Sequence, residues 1–511
     1  MAAKDTVLLD GSPLTPAQVA AVARHNAMAA LSPGALRTVA AARAGLEGRL
    51  DDKLPLYGIN TGFGSLSHVR VNGTDLSDLQ ANLVRSHSCG VGPHLSAEVV
   101  RGMLLILAAS LARGHSGVRP ELIELIVGML NTGVTPVVPS RGSVGASGDL
   151  APLAHAALVM IGEGQTNHGG DTLTGAQALA VAGLRPIVLQ AKEGLALING
   201  THMMCSVAAL AAHDASALLT TAARATALAI DACRATDTFL DARIHSARNQ
   251  PGQQRAAAAI LAQLQGSAII TAHEHNDPRV QDPYSFRCSA QVLGAAADSL
   301  DYVRQTVERE LGGVTDNPLL FESKGRTEVL SGGNFHGMPL AIAMDVAKIA
   351  LSHIAGISER RVFWILAAAD AHNPVRAYLS PQPGLHSGYM IAQYTAAACC
   401  NEIQTLANPA SVGNISTSAG IEDYNSMGAT SANHLRMCID RAMEVIAIEL
   451  LVMCEGLEYQ RPLRSGAGVE ALHAAVRKSV PKLERDRPPA PDIALLAAAI
   501  RAGAFNDGTQ L

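Results

Sequence analysis

Five long stretches rich in Ala and Leu dominate the later part of this 511-residue chain. They run roughly over 192–234, 289–312, 338–369, 386–407 and 428–458, with few charges on one face. Stretches of that length read as helices in a bundle, because an apolar helix face needs other helices to cover it. Aromatic residues make up only 3% of a chain that is 48% hydrophobic. The core is therefore expected to be closely packed helices rather than sheets of bulky strands. The expected fold class is mainly α, with an N-terminal region over 1–190, a long-helix bundle over 191–479 and a C-terminal tail helix over 480–511.

The first region is more varied. Residues 14–50 read as helices with short breaks, and 54–64 as a Gly-rich loop. Helical spacing returns over 96–114 and 120–131, and Pro120 suits a helix start. The text over 131–149 is rich in Gly, Pro and Ser and reads as irregular. Residues 150–161 read as a buried helix capped by Asp149, and 165–190 as the place for a minor hairpin. Polar loops are expected over 266–288, 313–336 and 408–426.

Several function classes are disfavoured. Net charge is -5 with no Lys/Arg cluster, so neither nucleic acid nor an anionic membrane is an expected partner. Gly194–His213 has no Asp, Glu, Lys or Arg and is long enough to span a bilayer. Asn199, Gly200, Thr201 and His202 in its first half favour a buried core helix instead. The eight cysteines form no Cys-x-x-Cys and lie mostly in apolar helical text, so reduced thiols and a cytoplasmic location are expected. The start, Met-Ala-Ala-Lys-Asp-Thr-Val, does not read as a signal peptide. His273-Glu-His275 offers two ligands without a third nearby, so no metal is expected.

The most specific chemistry lies in Gly142-Ser-Val-Gly-Ala-Ser-Gly-Asp-Leu150. Almost no side-chain bulk surrounds Ala146-Ser147-Gly148. For the Gly148 nitrogen to attack the Ala146 carbonyl, the chain must bend far outside ordinary φ/ψ space, and the glycines remove the Cβ clashes that forbid it. Loss of water from the ring and from the Ser147 hydroxyl leaves an exocyclic methylidene, a strong electrophile. A helix N-terminus directly after it favours developing negative charge.

Together with Ala151-Pro-Leu153, that run resembles the cofactor-forming segment of the aromatic amino acid ammonia-lyases and related aminomutases. The resemblance covers about residues 10–480, with further motifs in family order. It implies a tetrameric ammonia-lyase-like fold whose N-terminal region bears the cofactor. It also implies 4-methylideneimidazole-5-one made from Ala146-Ser147-Gly148, no external cofactor, and a homotetramer whose active sites are shared between subunits. Tyr57, in Tyr-Gly-Ile-Asn-Thr-Gly-Phe-Gly64, matches the family's catalytic tyrosine. A phenol takes a proton if cationic or dipolar neighbours lower its pKa. Asn199, in Glu193-Gly-Leu-Ala-Leu-Ile-Asn-Gly, would donate to the imidazolone oxygen. In Val280-Gln-Asp-Pro-Tyr-Ser-Phe-Arg-Cys288, Gln281 and Tyr284 would border the electrophile and Arg287 would bind the substrate carboxylate. Asn317 would assist with the carboxylate, and Phe335 would wall the site.

Substrate choice rests on fewer positions. Ser86-His87 is the usual histidine-lyase pair, though some tyrosine lyases share it, and His87 suits an imidazole or a phenol by type. Met390 and Glu422 fall where histidine lyases carry them. A carboxylate at 422 would pair with an imidazole N–H and would be poorly compensated against a phenol or bare ring. Ile421-Glu-Asp-Tyr-Asn425, Asn408-Pro-Ala-Ser411 and Asn401-Glu-Ile-Gln404 depart from the usual histidine-lyase text. The expected activity is L-histidine to trans-urocanate, with tyrosine to p-coumarate as the alternative. An aromatic 2,3-aminomutase and a non-catalytic helical scaffold are the further readings.

Overall fold

The structure, a computed structural model, describes residues 6–50, 55–275, 277–508 and 511. Residues 1–5, which begin the start read above, and Leu54 of the Gly-rich loop lie outside these. The protein is mainly α, with nineteen α-helices among the described residues. Four small sheets accompany them: three of two strands and one of three.

The chain divides into two compact units. One holds Met1–His213, Arg304–Asp345 and Pro409–Asn433, and the other Asp214–Val303, Val346–Asn408 and His434–Leu511. This division interleaves along the chain, whereas the regions read from sequence follow one another serially at 190 and 479. Four of the five unit bounds fall inside the long helices His202–Ala232, Ser289–Leu311, Met338–Ala367 and Gly428–Glu458, and the fifth, between Asn408 and Pro409, falls just after Met390–Leu406.

In the first unit, Pro16–His25 starts with a capping box from Thr15 and Gln18, with Pro at its first turn. Pro16–His25 and Pro120–Thr132 pack on Ala97–Leu111, whose residues from Val99 to Leu111 are all buried. A helix buried all round is what its largely apolar text dictates, and its one buried cation, Arg101, donates to the Leu130 and Val22 carbonyls. Leu76–His87, Leu150–Met160 and Glu193–Ile198 are in mutual contact. That trio matters most for function, because its ends carry Ser86-His87, Ser147 and Asn199.

Three local expectations change. The stretch 192–234 is two helices, not one, since Glu193–Ile198 ends at Asn199 and His202–Ala232 begins after a break. Asn199 is extended, and Gly200, at φ 130°, bridges to Gly148. Within 313–336, Leu319–Ser323 and Arg326–Leu330 pair as a hairpin where a loop is expected. The helix read from 386 starts at Met390, after Gly388 at φ 60°. The minor hairpin falls inside its expected range, as Gln165–His168 paired with Asp171–Thr174.

In the second unit, Ala242–Arg248 and Ala467–Arg477 pack on Pro251–Gln263. Buried Arg361 pairs with buried Glu449 and also donates to the Ser285 carbonyl at 3.1 Å. His202–Ala232 and Met338–Ala367 have the length and apolarity of membrane spans, yet 83% and 61% of their apolar windows are buried inside the protein. Burial of that extent marks core helices.

Candidate active site

The first unit encloses a cavity of about 760 Å³. Tyr57, Ser86, His87, Ser147, Asn199, Asn317, Phe335 and Glu422 all line it. Eight of the residues singled out in the sequence thus converge from seven separated segments.

Ala146 and Gly148 are buried and Ser147 is half-buried. Gly145 and Gly148 both sit at left-handed φ, 77° and 76°. A Cβ on Gly148 would run into the Gly200 carbonyl, so no other residue fits there without a shift. The segment is pinned on both sides. Gly200 N–H donates to the Ser147 carbonyl at 3.2 Å, and Ser143 Oγ donates to the Gly148 carbonyl at 2.8 Å. A bent, bulk-free backbone next to a cavity, at the start of an eleven-residue helix, fits the cyclised group.

Asp149 does something the sequence did not indicate. Its carboxylate does not cap its own helix. Oδ2 instead accepts from Met203 N–H and Met204 N–H, at 2.8 and 3.0 Å, and so caps His202–Ala232. Full burial pushes its pKa up to about 7, and those two N–H donors only partly offset the shift.

Asn199 is 2% exposed. Its amide nitrogen donates to the Asn317 carbonyl at 3.0 Å and to Asp316 Oδ1 at 3.3 Å, and its Oδ1 has no partner among the described residues. Turning the amide over would set oxygen against two acceptors, so this orientation is fixed by its neighbours. Asp316 is held in turn by Lys192 Nζ at 2.5 Å, both side chains being buried. Burial lowers the Lys192 pKa and Asp316 pulls it back up. Asn317 Oδ1 accepts from Gly332 N–H at 2.6 Å, which aims this side chain. Lys192 and Asp316 were not singled out in the sequence. They lie 124 residues apart, each next to a residue the motifs did mark, Glu193 and Asn317.

His87 Nδ1 lies 2.9 Å from the Leu83 carbonyl, so that nitrogen carries the proton and Nε2 is left as an acceptor. Burial lowers the His87 pKa and keeps the ring neutral. Tyr57 departs from expectation, because its pKa is raised rather than lowered. Burial is the main cause and the Glu422 charge adds to it, against a hydrogen bond of 3.3 Å from Gly64 N–H.

Gln281, Tyr284, Arg287 and Met390 do not line this cavity and belong to the second unit. The first three border a separate cavity of about 560 Å³. Tyr284–Arg287 forms a single helical turn, and the Arg287 guanidinium stacks 4.8 Å from the Tyr284 ring. Arg287 Nε donates to the Asp282 carbonyl at 2.8 Å, leaving its terminal nitrogens without a partner among the described residues. Tyr284 is 71% exposed. Met390 opens Met390–Leu406 and is half-buried.

Residues 14–478 match the model of the aromatic amino acid lyases. The chain belongs to the aromatic amino acid lyase family. It is 46% identical over 504 residues to histidine ammonia-lyase of Sorangium cellulosum (strain So ce56), covering 98% of each chain. The solved structure of tyrosine aminomutase from Streptomyces globisporus aligns with a TM-score of 0.91 and 35% identity, covering 98% of this chain and 97% of that one. Histidine ammonia-lyase from Trypanosoma cruzi aligns with a TM-score of 0.90 and 37% identity, covering 98% and 94%. The protein is therefore a lyase of this family, acting on an aromatic amino acid.

Proposed function

We propose that this lyase converts L-histidine to trans-urocanate and ammonia. The observation that carries the reading is the pairing of His87 and Glu422 in the wall of the cavity that Ser147 and Tyr57 also line. A neutral His87 presents a lone pair and Glu422 a carboxylate, and both accept from N–H donors. An imidazole side chain supplies such a donor, and a bare ring leaves both acceptors unpaired at a cost. The 46% identity to histidine ammonia-lyase across the chain supports the same substrate. Tyrosine is the second reading, because a phenol hydroxyl can donate to His87 and a tyrosine aminomutase is similar over nearly the whole chain.

Ala146-Ser147-Gly148 is the proposed source of 4-methylideneimidazole-5-one, with no external cofactor. That group, once formed, supplies an electrophilic carbon that activates the substrate toward loss of ammonia. Tyr57 is the proposed base for the β-proton, taking it at the phenolic oxygen. Asn199 is the proposed donor to the group's oxygen. Both its N–H bonds are engaged within the chain, so donation requires releasing the longer contact to Asp316. Asn317 assists the carboxylate, Phe335 walls the ring, and Leu76–His87 excludes water from behind.

The assembly follows from charge. Among the described residues lining the cavity, Glu422 is the only one with a formal charge at neutral pH, and none is Lys or Arg. A substrate carboxylate needs a cation, and the matching Arg287 lies in the second unit beside Gln281 and an exposed Tyr284. We infer a homotetramer in which another copy supplies Gln281, Tyr284, Arg287 and Met390. Exposed Phe363, Ile391 and Tyr394 on long helices support an apolar subunit contact. The eight free thiols, six of them buried, support a cytoplasmic location.

Incubating the pure protein with histidine, tyrosine and phenylalanine tests the reading through the ultraviolet spectrum of each product. Urocanate is expected to form fastest. Faster turnover of tyrosine at equal low concentration would move the assignment to the second reading.

A further inference from the structure

Glu422 does not stand alone. Thr417 faces it across an isolated antiparallel bridge. Thr417 N–H donates to the Glu422 carbonyl at 2.8 Å, and Glu422 N–H returns to the Thr417 carbonyl at 3.3 Å. The residues between turn back tightly, with Ser418, Ala419 and Gly420 at φ 51°, 54° and 89°. Three successive left-handed residues leave this turn little freedom to slide. Ser418 Oγ also accepts from Ser65 N–H at 3.3 Å, tying the turn to the segment that follows Tyr57.

Within this frame, Thr417 Oγ1 lies 3.0 Å from Glu422 Oε2 and 3.2 Å from the Glu422 carbonyl. A hydroxyl has one proton to give, and a charged carboxylate is the stronger acceptor. Glu422 Oε1 has no hydrogen-bond partner among the described residues. It lies 3.8 Å from the point a Cβ on Gly64 would occupy, and Gly64 also lines the cavity. One carboxylate oxygen is thus anchored and the other is left for the substrate.

We propose that Thr417 is a positioning residue that determines specificity, holding Glu422 so that Oε1 meets the side-chain N–H of the substrate. The inference rests on the histidine reading given above. A long Glu side chain without an anchor samples several rotamers, and the anchor removes that cost before substrate arrives. The effect should fall on substrates with a side-chain N–H and spare those without one.

The test compares the unmodified enzyme with Thr417→Val, Thr417→Ser, Glu422→Gln and the double variant Thr417→Val/Glu422→Gln, assayed on histidine, tyrosine and phenylalanine. Thr417→Val keeps the shape and removes the donor. It should lower kcat/KM for histidine roughly tenfold, the order expected of a hydrogen bond to a charged group. The values for phenylalanine and tyrosine should stay within about twofold, since neither side chain offers an N–H to Oε1. Thr417→Ser should restore the histidine value. In the double variant the Val substitution should add little, because the group it positions is already changed. An equal loss on all three substrates would mean that Thr417 supports only the fold, and would overturn the inference. So would an unchanged histidine value in Thr417→Val, or a full additive loss in the double variant. An unmodified enzyme that prefers tyrosine would overturn the substrate reading itself, a result visible before any variant is assayed.

Discussion

Tyr57 illustrates how a residue type and its surroundings divide the explanation. The motif Tyr-Gly-Ile-Asn-Thr-Gly-Phe-Gly64 marks the residue, but not the state of its phenol. Burial and Glu422 raise its pKa, so the proton is held tightly in the free enzyme. Such a group is a strong base that is seldom ionised. Turnover should therefore climb as pH rises toward the ordinary phenol range near ~10. Tyr57→Phe should cut kcat on the order of a hundredfold or more, the usual scale for a lost general base. Near-normal turnover would move the role to Tyr284. Glu422→Gln carries a signed consequence for the same group. It removes a negative charge that raises the Tyr57 pKa, so the ascending limb measured with tyrosine should shift to lower pH. The same variant should weaken histidine turnover while sparing or improving tyrosine. An unmoved pH profile would mean that Glu422 and Tyr57 do not interact as the structure places them.

At the scale of elements, two buried groups at the start of His202–Ala232 act in opposite directions. Asp149 caps that helix with its pKa pushed up to about 7, from 3.8. Its favourable contribution is complete below the unfolded value and is lost as pH rises through 7. His202, 2% exposed and with neither ring nitrogen partnered among the described residues, has its pKa pushed down to about 4, mainly by burial. Its contribution is present above the unfolded value near 6.5 and is lost as pH falls through 4. The two slopes oppose each other between about 4 and 6.5, and across their own windows are worth roughly 4 kcal/mol for Asp149 and roughly 3 kcal/mol for His202, at ~1.4 kcal/mol per pKa unit. His202→Gln should leave the Asp149 slope uncovered, so that stability falls as pH rises from 4 to 7. Urea unfolding at a series of pH values checks this, and an unchanged slope would sink it. None of this was legible beforehand. The sequence marks Asp149 as a cap, but not which helix it caps. Long helices such as Met338–Ala367 and Gly428–Glu458 were legible because apolar periodicity is a local signal. The break at Asn199-Gly200-Thr201 was not, since it exists to meet Gly148, fifty-two positions away from Gly200. The Leu319–Ser323 hairpin was hidden for a different reason, because Asn317-Pro and Gly332-Gly-Asn read as one continuous loop around two short strands. The roles of Lys192, Asp316 and Thr417 depend on partners and geometry that motif reading does not supply.

For the molecule as a whole, the decisive fact is that the proposed base and the proposed cation line different cavities. Tyr57 and Arg287 belong to different units of the chain and border different cavities. If each active site takes Tyr57 from one copy and Arg287 from another, two dead variants can repair each other. Tyr57→Phe and Arg287→Ala should each be nearly inactive when expressed alone. Co-expressed and assembled at random, about a quarter of sites would pair an intact Tyr57 with an intact Arg287 drawn from different copies, as a closed symmetric assembly allows. Activity should return to that order, with the unmodified KM for histidine, because the repaired sites are complete. Mixing the two purified homotetramers without dissociation should restore nothing, and brief unfolding followed by joint refolding should restore the same fraction. If both residues instead served a site within one copy, no hybrid would contain a complete site and activity would stay at background. A failure to recover activity, with mixed assemblies demonstrated by differential tagging, would overturn the shared site and leave the missing cation to be found in the first unit.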